Sequence, residues 1–404
     1  MIKTQEVSLR SVLLSSQSGF ASGAKDKGGI AQIRMNNVTT DGELDFSAIR
    51  RVPEDAVKNV ERYLLKSGDV LFNSTNSPNL VGKTALFFEQ DEPFVFSNHF
   101  VRLVPNPRKL DSNFLARWLT FQQQRGVFEL LCTRWVNQAA VRRDDLLALN
   151  IPLPALSEQK RIAAILDKAD ALRAKRRAAL AKLDTRLQAA FLDMFGDPVT
   201  NPMGWDVVKL SSVADVVSGV TKSKSRVKGK ETITIPYMRV ANVQDGRILT
   251  AEEHLKTIEV LPEDVEKYLL KSGDILLTEG GDPDKLGRGG IWRGEVDKCI
   301  HQNHVFRVRI NQDSFQPEYL SALIGSPYGK LYFLKAAKQT TGIASINRTQ
   351  LRAFPVLRPS IGLQEVFRTF LVNLETQKFI HETCLVKLDS LFHSLQQRAF
   401  KGEL

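Results

Sequence analysis

An internal repeat narrows the fold of this chain more than any other feature. Tyr63-Leu64-Leu65-Lys66-Ser67-Gly68-Asp69 returns as Tyr268-Leu269-Leu270-Lys271-Ser272-Gly273-Asp274, an offset of 205 positions. The same offset pairs Arg34 with Arg239, Asn37-Val38 with Asn242-Val243, and Asn98-His99 with Asn303-His304. It also pairs Arg102 with Arg307, Leu146 with Leu351, Pro154 with Pro359, and Gln159 with Gln364. One constant shift across so much sequence means two copies of a single unit. Each copy is a globular domain of about 150 residues, a usual domain size, followed by a long helical stretch. Loops between the anchors diverge: Asn73-Ser74-Thr75-Asn76 faces Thr278-Glu279-Gly280-Gly281. A shared scaffold with different loops suggests two related jobs on two targets.

The first long stretch, 155–196, predicts one helix. Ser157 is the expected N-cap, Glu158 suits the dipole of the first turn, and Gly196-Asp197-Pro198 is the stop. Ile162, Ile165, Leu166, Ala169, Leu172, Leu180, Leu183, Leu187, Ala190 and Met194 approximate an a/d seam, with a polar break from Arg173 to Arg177. Such a helix reaches roughly 60 Å, about two turns of B-DNA, and cannot cover its own seam. The last stretch, 360–404, offers a partner through Phe367, Phe370, Leu371, Leu374, Ile380, Leu388, Leu391 and Leu395. The pattern predicts a coiled-coil pair, antiparallel or parallel. The first helix carries nine basic residues against five acidic ones, a solvated face or a dock for an acidic partner or phosphates.

Within each globular copy the elements are mixed, giving an α+β fold. Runs 69–72, 100–104, 274–277 and 305–309 read as strands, and 112–124 and 317–323 as helices. Residues 197–205 form the linker between copies. With 56 Lys and Arg against 45 Asp and Glu, the formal charge is +11, which suits a polyanionic partner. Cys132, Cys299 and Cys384 are scattered without a Cys-x-x-Cys; a reducing cytoplasm is expected, with no structural zinc. The N-terminus has no signal-peptide core, and no run approaches the ~18 apolar residues of a membrane span.

Catalytic motifs are missing. Gly82-Lys83-Thr84 lacks the earlier glycine of a phosphate loop, since Ser77 stands there. His301-Gln302-Asn303-His304 has no third ligand at metal-site spacing, and Phe96 replaces His301 in the first copy; a satisfied or DNA-facing histidine is the expectation. No dinucleotide loop, methyltransferase tetrapeptide, repeated nuclease constellation or Ser-His-Asp order is present. The chain is expected to be a reader, not an enzyme.

What remains are polar loop residues, of the kinds that bond base edges and phosphates. In the first copy these are Arg34, Asn36, Asn37, Asn73, Thr75, Asn76, Lys83, Asn98, His99, Arg134, Asn137, Gln138, Arg142 and Arg143. In the second they are Arg239, Asn242, Glu279, Arg288, Gln302, Asn303, His304, Thr340, Thr341, Ser345, Asn347 and Arg348. Taken singly each is an ordinary turn or solvated residue; recurring as sets at one offset, they argue for a binding face.

Four segments give the chain a likeness to known proteins: 64–77 (LLKSGDVLFNSTNS), 151–162 (IPLPALSEQKRI), 194–198 (MFGDP) and 398–404 (RAFKGEL). In these the chain resembles the specificity subunits of type I restriction–modification systems, over its whole length. It departs in the second Pro-Leu-Ser-Glu-Gln block, which reads Arg358-Pro359-Ser360-Ile361-Gly362-Leu363-Gln364. The resemblance implies target-recognition domains at 1–153 and 197–358, each reading half of a bipartite double-stranded DNA target. It implies antiparallel long helices at 154–196 and 359–404 that set the spacer. Two modification subunits would dock and bring S-adenosylmethionine for adenine-N6 methylation. Restriction subunits would bring ATP, Mg2+ and cleavage, as in phage defence. No cofactor is expected in this chain itself. The competing expectations are a duplicated-domain enzyme, a coiled-coil protein without nucleic acid, and a stand-alone bipartite DNA binder or scaffold.

Overall fold

The computed structural model describes residues 5–404 apart from 24–27, 57–58, 137, 283–284, 312 and 341–342. The chain divides into two compact units. Unit 1 is Met1–Ala178 with Glu382–Leu404, and unit 2 is Ala179–His381. Each unit therefore takes part of both long helices.

Unit 1 is built on a four-stranded antiparallel sheet in the order Leu13–Ser18, Phe100–Pro105, Val70–Asn73, Thr84–Leu86. Unit 2 repeats it with Ala214–Ser218, Val305–Ile310, Ile275–Thr278 and Gly289–Ile291. The central strand explains an apolar run without alternation. Val70 and Phe72 face one core cluster and Leu71 another, so both faces are buried; Ile275, Leu277 and Leu276 do the same in unit 2. A continuous apolar run is what a strand covered on both sides requires. The Ser-Gly-Asp turn before it needs glycine: Gly68 and Gly273 have φ of 95° and 91°, open to glycine at no steric cost. Asp69 and Asp274 close the turn by accepting the Lys66 and Lys271 backbone N–H at 3.0 and 2.7 Å.

Each unit also carries two smaller three-stranded sheets, beside a two-stranded pair, Gln5–Ser8 with Asn150–Leu153 or Asp206–Lys209 with Pro355–Arg358. One joins Arg50–Val52, Ile30–Ile33 and Phe94–Phe96, matched by Lys256–Val260, Ile233–Met238 and Ile300–His301. The other joins Thr133–Trp135, Gln138–Ala140 and Thr75–Asn76, matched by Lys338–Thr340, Ile343–Ser345 and Gly280–Gly281. The expected helices occur at Ser112–Gln124 and Pro317–Gly325.

The long helices run Leu156–Phe195 and Ile361–Lys401. Ser157 lies inside the first turn and is not the N-cap expected of it. The start is held instead by a buried glutamine. Gln159 donates to Pro154 O and Lys109 O at 2.9 Å each and accepts the Asp111 N–H at 2.9 Å. Gln364 repeats this with Pro359 O, Ser314 O and the Gln316 N–H, so the divergent second block still starts a helix at Ile361. Gly196, at φ 75°, ends the first helix as expected.

The pairing is antiparallel in each unit. In unit 1, Arg161 meets Leu404 O at 2.8 Å while Arg173 meets Asp389 at 2.6 Å. In unit 2, Asp184 pairs with Lys378, and the Phe195 ring lies 5.3 Å from Phe367. Later residues of one helix meet earlier residues of the other, which removes the parallel option. The seam differs from the expected one. Leu172, Ile380 and Leu391 are exposed, and Arg173 and Phe392 are buried in their vicinity. The expected polar break is in fact packed: the Arg173 guanidinium lies 4.4 Å from the Phe392 ring centroid and pairs with Asp170 and Asp389. A 3.6-residue turn drifts from a seven-residue repeat, so a seam read as strict a/d slips by one position.

Candidate nucleic-acid interface

Several of the polar candidates turn out to be braces, two pairs of them at the common offset (Asn37 with Asn242, Lys83 with Arg288). Asn37 and Asn242 are each 1% exposed. Asn37 accepts the Arg34 N–H and donates to Asp45 O and Ala48 O. Asn242 accepts the Arg239 N–H and donates to Leu249 O and His254 O. Lys83, whose pKa burial pulls below the usual lysine value, donates to Met35 O and Val38 O. Arg288, its counterpart, reaches Gln244 Oε1 and Val240 O. Asn73, fully buried, donates to Thr75 O and His99 O at 3.1 and 3.0 Å. Asn347 caps the helix Arg348–Arg352 in a capping box with Gln350. These six residues therefore have structural partners: Asn37, Asn242, Asn73 and Lys83 are buried and bonded to neighbouring groups, Arg288 is half-buried with two of its nitrogens engaged, and Asn347 is an exposed helix cap. A buried backbone group must be paired somewhere, and a residue kept in both copies is often the one pairing it.

The other candidates lie nearer the surface. Asn36, Asn98, Arg134, Gln138, Arg142 and Arg143 are exposed, and Arg34, Thr75, Asn76 and His99 half-buried. In unit 2, His304 and Arg348 are exposed, and Arg239, Glu279, Gln302, Asn303 and Ser345 half-buried. Thr340 lies on the strand Lys338–Thr340; Asn137 and Thr341 lie outside the described residues. Strand register brings several together. Asn76 faces Ala139, Thr75 faces Ala140, and Gln138 faces Trp135. Arg142 stands apart chemically, tied to Asp145 by two bonds of 2.7 and 3.0 Å, which raise its pKa.

Each unit presents a hollow at the corner carrying His99 or His304. The unit 1 hollow, about 290 Å³, is lined by Phe20, Gln32, Arg34, Arg50, Ser97, Asn98 and His99 among others. Burial and the Arg34 charge lower the His99 pKa, so the ring is neutral near pH 7. The unit 2 hollow, about 340 Å³, is lined by Val240, Glu279, Gly280, His304 and Ser345. There Asn303 Nδ2 lies 3.3 Å from His304 Nε2, and His304 Nδ1 lies 2.6 Å from Glu279 Oε2. That chain fits a tautomer with the proton on Nδ1, donating to the carboxylate. So one hollow is cationic and the other carries a carboxylate. Arg suits guanine O6 and N7 or a phosphate, and Glu suits the amino group of cytosine.

His301, the remaining half of the metal-site suspicion, is fully buried with Nδ1 2.8 Å from Val305 O. Burial pushes its pKa down to about 4, the state of a neutral core histidine. Sequence reasoning missed Gln32, Arg50 and Ser97, which do not recur at the offset. It also missed Trp135 and Val136, 60% and 92% exposed on the hairpin beside Asn76. An aromatic followed by valine between two turn-prone runs was the available signal.

Two copies of one α+β unit, with each unit taking part of two long helices that pair antiparallel, define a tandem-repeat architecture. A family model described as the type I restriction modification DNA specificity domain matches residues 13–182 and again 202–388; the chain belongs to this family and is a specificity subunit of the type I kind. It is 25% identical over 391 residues to the type I restriction enzyme StySPI specificity subunit of Salmonella potsdam, spanning 92% of this chain and 82% of that one. It is 25% identical over 393 residues to the EcoKI specificity subunit of Escherichia coli, with the same coverage. In fold it is similar to the type I S subunit from M. genitalium, with a TM-score of 0.58 at 15% identity, over 99% of this chain and 96% of that one. It is also similar, at TM-score 0.57 and 17% identity, to a chain from a structural study of type I R-M complex assembly, over 99% and 98%. Among the described residues no helix is long and apolar enough to cross a membrane.

Proposed function

We propose that this chain reads a bipartite, asymmetric DNA target without catalysing any reaction itself. Each unit reads one half through its hollow and the adjoining hairpin. The helix pair fixes the unread spacer and docks two modification subunits, which carry S-adenosylmethionine and methylate adenine N6. Restriction subunits, with their ATP and Mg2+, join through these. The observation that carries the reading is the contrast around the hollows: Asn37/Asn242 and the Asn-His corner recur, while Asn73-Ser74-Thr75-Asn76 becomes Thr278-Glu279-Gly280-Gly281, Arg50 becomes Leu255 and Ser97 becomes Gln302. That is what two readers of different sequences on one scaffold require.

Docking on the helices is supported by apolar side chains left in solvent. In unit 2 the second long helix exposes Val366, Val372, Phe379 and Ile380; in unit 1 it exposes Val386 and Leu391. Phe379 is 69% exposed and Val386 66%, and apolar surface gathered on one helix marks an interaction site.

The test is methylome mapping of cells carrying the chain with its modification subunits. Replacing residues 1–153 by the matching domain of a relative should change one half of the methylated motif and keep the other. Inserting residues near Arg176 should change the spacer length alone. Changes in both halves after the swap, or an unaltered spacer after the insertion, overturn the reading.

A further inference from the structure

Two exposed arginines are kept where the fold gives no reason to keep them. Arg143 and Arg348 stand at the common offset, and each opens a short helix, Arg143–Ala148 and Arg348–Arg352. Their neighbours either serve the core or drift. Leu146 and Leu351 are fully buried, which explains their identity. Arg142, Asp144 and Asp145 become Asn347, Thr349 and Gln350. Arg143 and Arg348 are both exposed. The start of a helix selects acids and capping residues, not a cation, so neither burial nor local propensity accounts for the pair. The acids that follow Arg143 are held by other arginines, Asp144 by Arg10 and Asp145 by Arg142, each at 2.7 Å. Among the described residues neither Arg143 nor Arg348 makes an ion pair or a side-chain hydrogen bond.

The backbone sets both in the same relation to the loops that differ. The Val141 N–H donates to Ser74 O and the Ile346 N–H to Glu279 O, at 2.9 Å each. Each arginine therefore lies two residues beyond a bond to the diverged loop, 73–76 in unit 1 and 278–281 in unit 2. An identical exposed side chain on two readers of different sequences answers to what their half-targets share. Along DNA the shared feature is the phosphate backbone.

We propose that Arg143 and Arg348 are equivalent phosphate anchors, each binding one backbone phosphate at its own half-target and bringing its unit's diverged loop to the bases in the same pose. The anchors rest on the DNA-reading function proposed above. A guanidinium fork matches two phosphate oxygens, and phosphate contacts fix register without carrying sequence information. Reading a base instead would require a guanine at the matching place in both halves, since the side chain is the same.

The test uses the full chain in complex with its modification subunits and the duplex identified by methylome mapping. Arg143→Gln and Arg348→Gln should each reduce the slope of log Kobs against log salt by about 1, and the double variant by about 2. Affinity should fall several-fold in each, alike for the target duplex and for one altered in either half, and the motif should stay the same. Arg143→Lys and Arg348→Lys keep the charge and should keep the slope. Melting temperatures and the content of modification subunits should match wild type. Changed preference at one base would mean that the arginine reads guanine, and lost modification subunits that it binds a protein partner. Either result overturns the anchors, as does a lowered melting temperature or an unchanged slope. A wild-type complex showing no sequence preference would instead sink the DNA-reading proposal, and the anchors with it.

Discussion

Asn37 and Asn242 do the same work in the two units; Gln32 and Tyr237, on the neighbouring strands, do not. The same split recurs wherever the units are superimposed by sequence. Lys83 and Arg288 brace the loop after Arg34 and Arg239. Gln159 and Gln364 hold the starts of the long helices. Even the interhelical pair is shared: Arg173–Asp389 in unit 1 and Lys378–Asp184 in unit 2 stand at the common offset. At the His99 and His304 corners the units part, one with Arg34 and Arg50 around its hollow, the other with Glu279. Buried identities such as Asn37/Asn242 hold the loops; the presented set is mixed, with Asn98-His99 kept as Asn303-His304 while their neighbours Ser74, Arg50 and Ser97 change to Glu279, Leu255 and Gln302.

The largest expected effect tests the shared side. Asn37→Ala strands one backbone N–H and two carbonyls in a buried site, as Asn242→Ala does in unit 2. At about 1 kcal/mol or more for each unpaired group, each variant should lose about 3 kcal/mol in denaturant unfolding. The methylation motif should survive wherever the protein still folds. A stable Asn37→Ala variant with a changed motif would return Asn37 to the reading face.

Nearly as large, and strongest in unit 2, is an acid response. His301 is buried and its pKa is lowered to about 4, against about 6.5 in an unfolded chain. Between those values the unfolded state binds the proton and the folded state does not. Stability therefore falls as pH drops from about 6.5 to about 4, by roughly 3 kcal/mol in all. Unit 1 has Phe96 at this position, fully buried. His301→Phe should flatten the pH dependence of unfolding in that window; an unchanged slope would put the acid sensitivity elsewhere.

The scaffold was legible because its signals are local or repeated. The Ser-Gly-Asp turns, the apolar runs at 70–72 and 275–277, the long helices and their glycine stop follow from backbone preferences that neighbours do not override. The seam was read one position off near Leu391 because the apolar count could not show that Arg173 would lie on Phe392. Antiparallel order was not written in the periodicity, which fits either direction; the family resemblance supplied it. The site was legible only in part. Residue type and loop position draw attention to Asn37, Asn73 and Lys83, whose partners are backbone carbonyls that no residue pattern displays. Gln32 and Ser97 sit in plain apolar strand sequence, Ile30–Ile33 and 94–97, and only the meeting of those strands with the segment after Gly19 makes them a cavity floor.

A smaller change should sharpen the divergent side. Glu279→Gln keeps an acceptor but removes the charge facing His304 and adds a competing donor. The expected result is relaxed preference at one base in the unit 2 half of the motif, by about 1–2 kcal/mol of discrimination. Methylome mapping reads this directly. An unaltered unit 2 half would take Glu279 out of the reading set.

The smallest effect compares one position doing one job by two chemistries. Arg142 and Asn347 both precede short helices, Arg143–Ala148 and Arg348–Arg352. Asn347 caps its helix through a reciprocal pair with Gln350, and Asn347→Ala should cost about 1 kcal/mol in unfolding. Arg142 makes no such cap; its link to Asp145 lies in solvent, where ion pairs contribute little and are screened. Arg142→Ala should therefore leave unfolding unchanged. Its guanidinium remains available to a phosphate, so the same variant should lower the salt dependence of DNA binding. A melting loss in Arg142→Ala larger than that of Asn347→Ala would mean the arginine is a brace after all, and that divergence between the units is not a reliable mark of the presented surface.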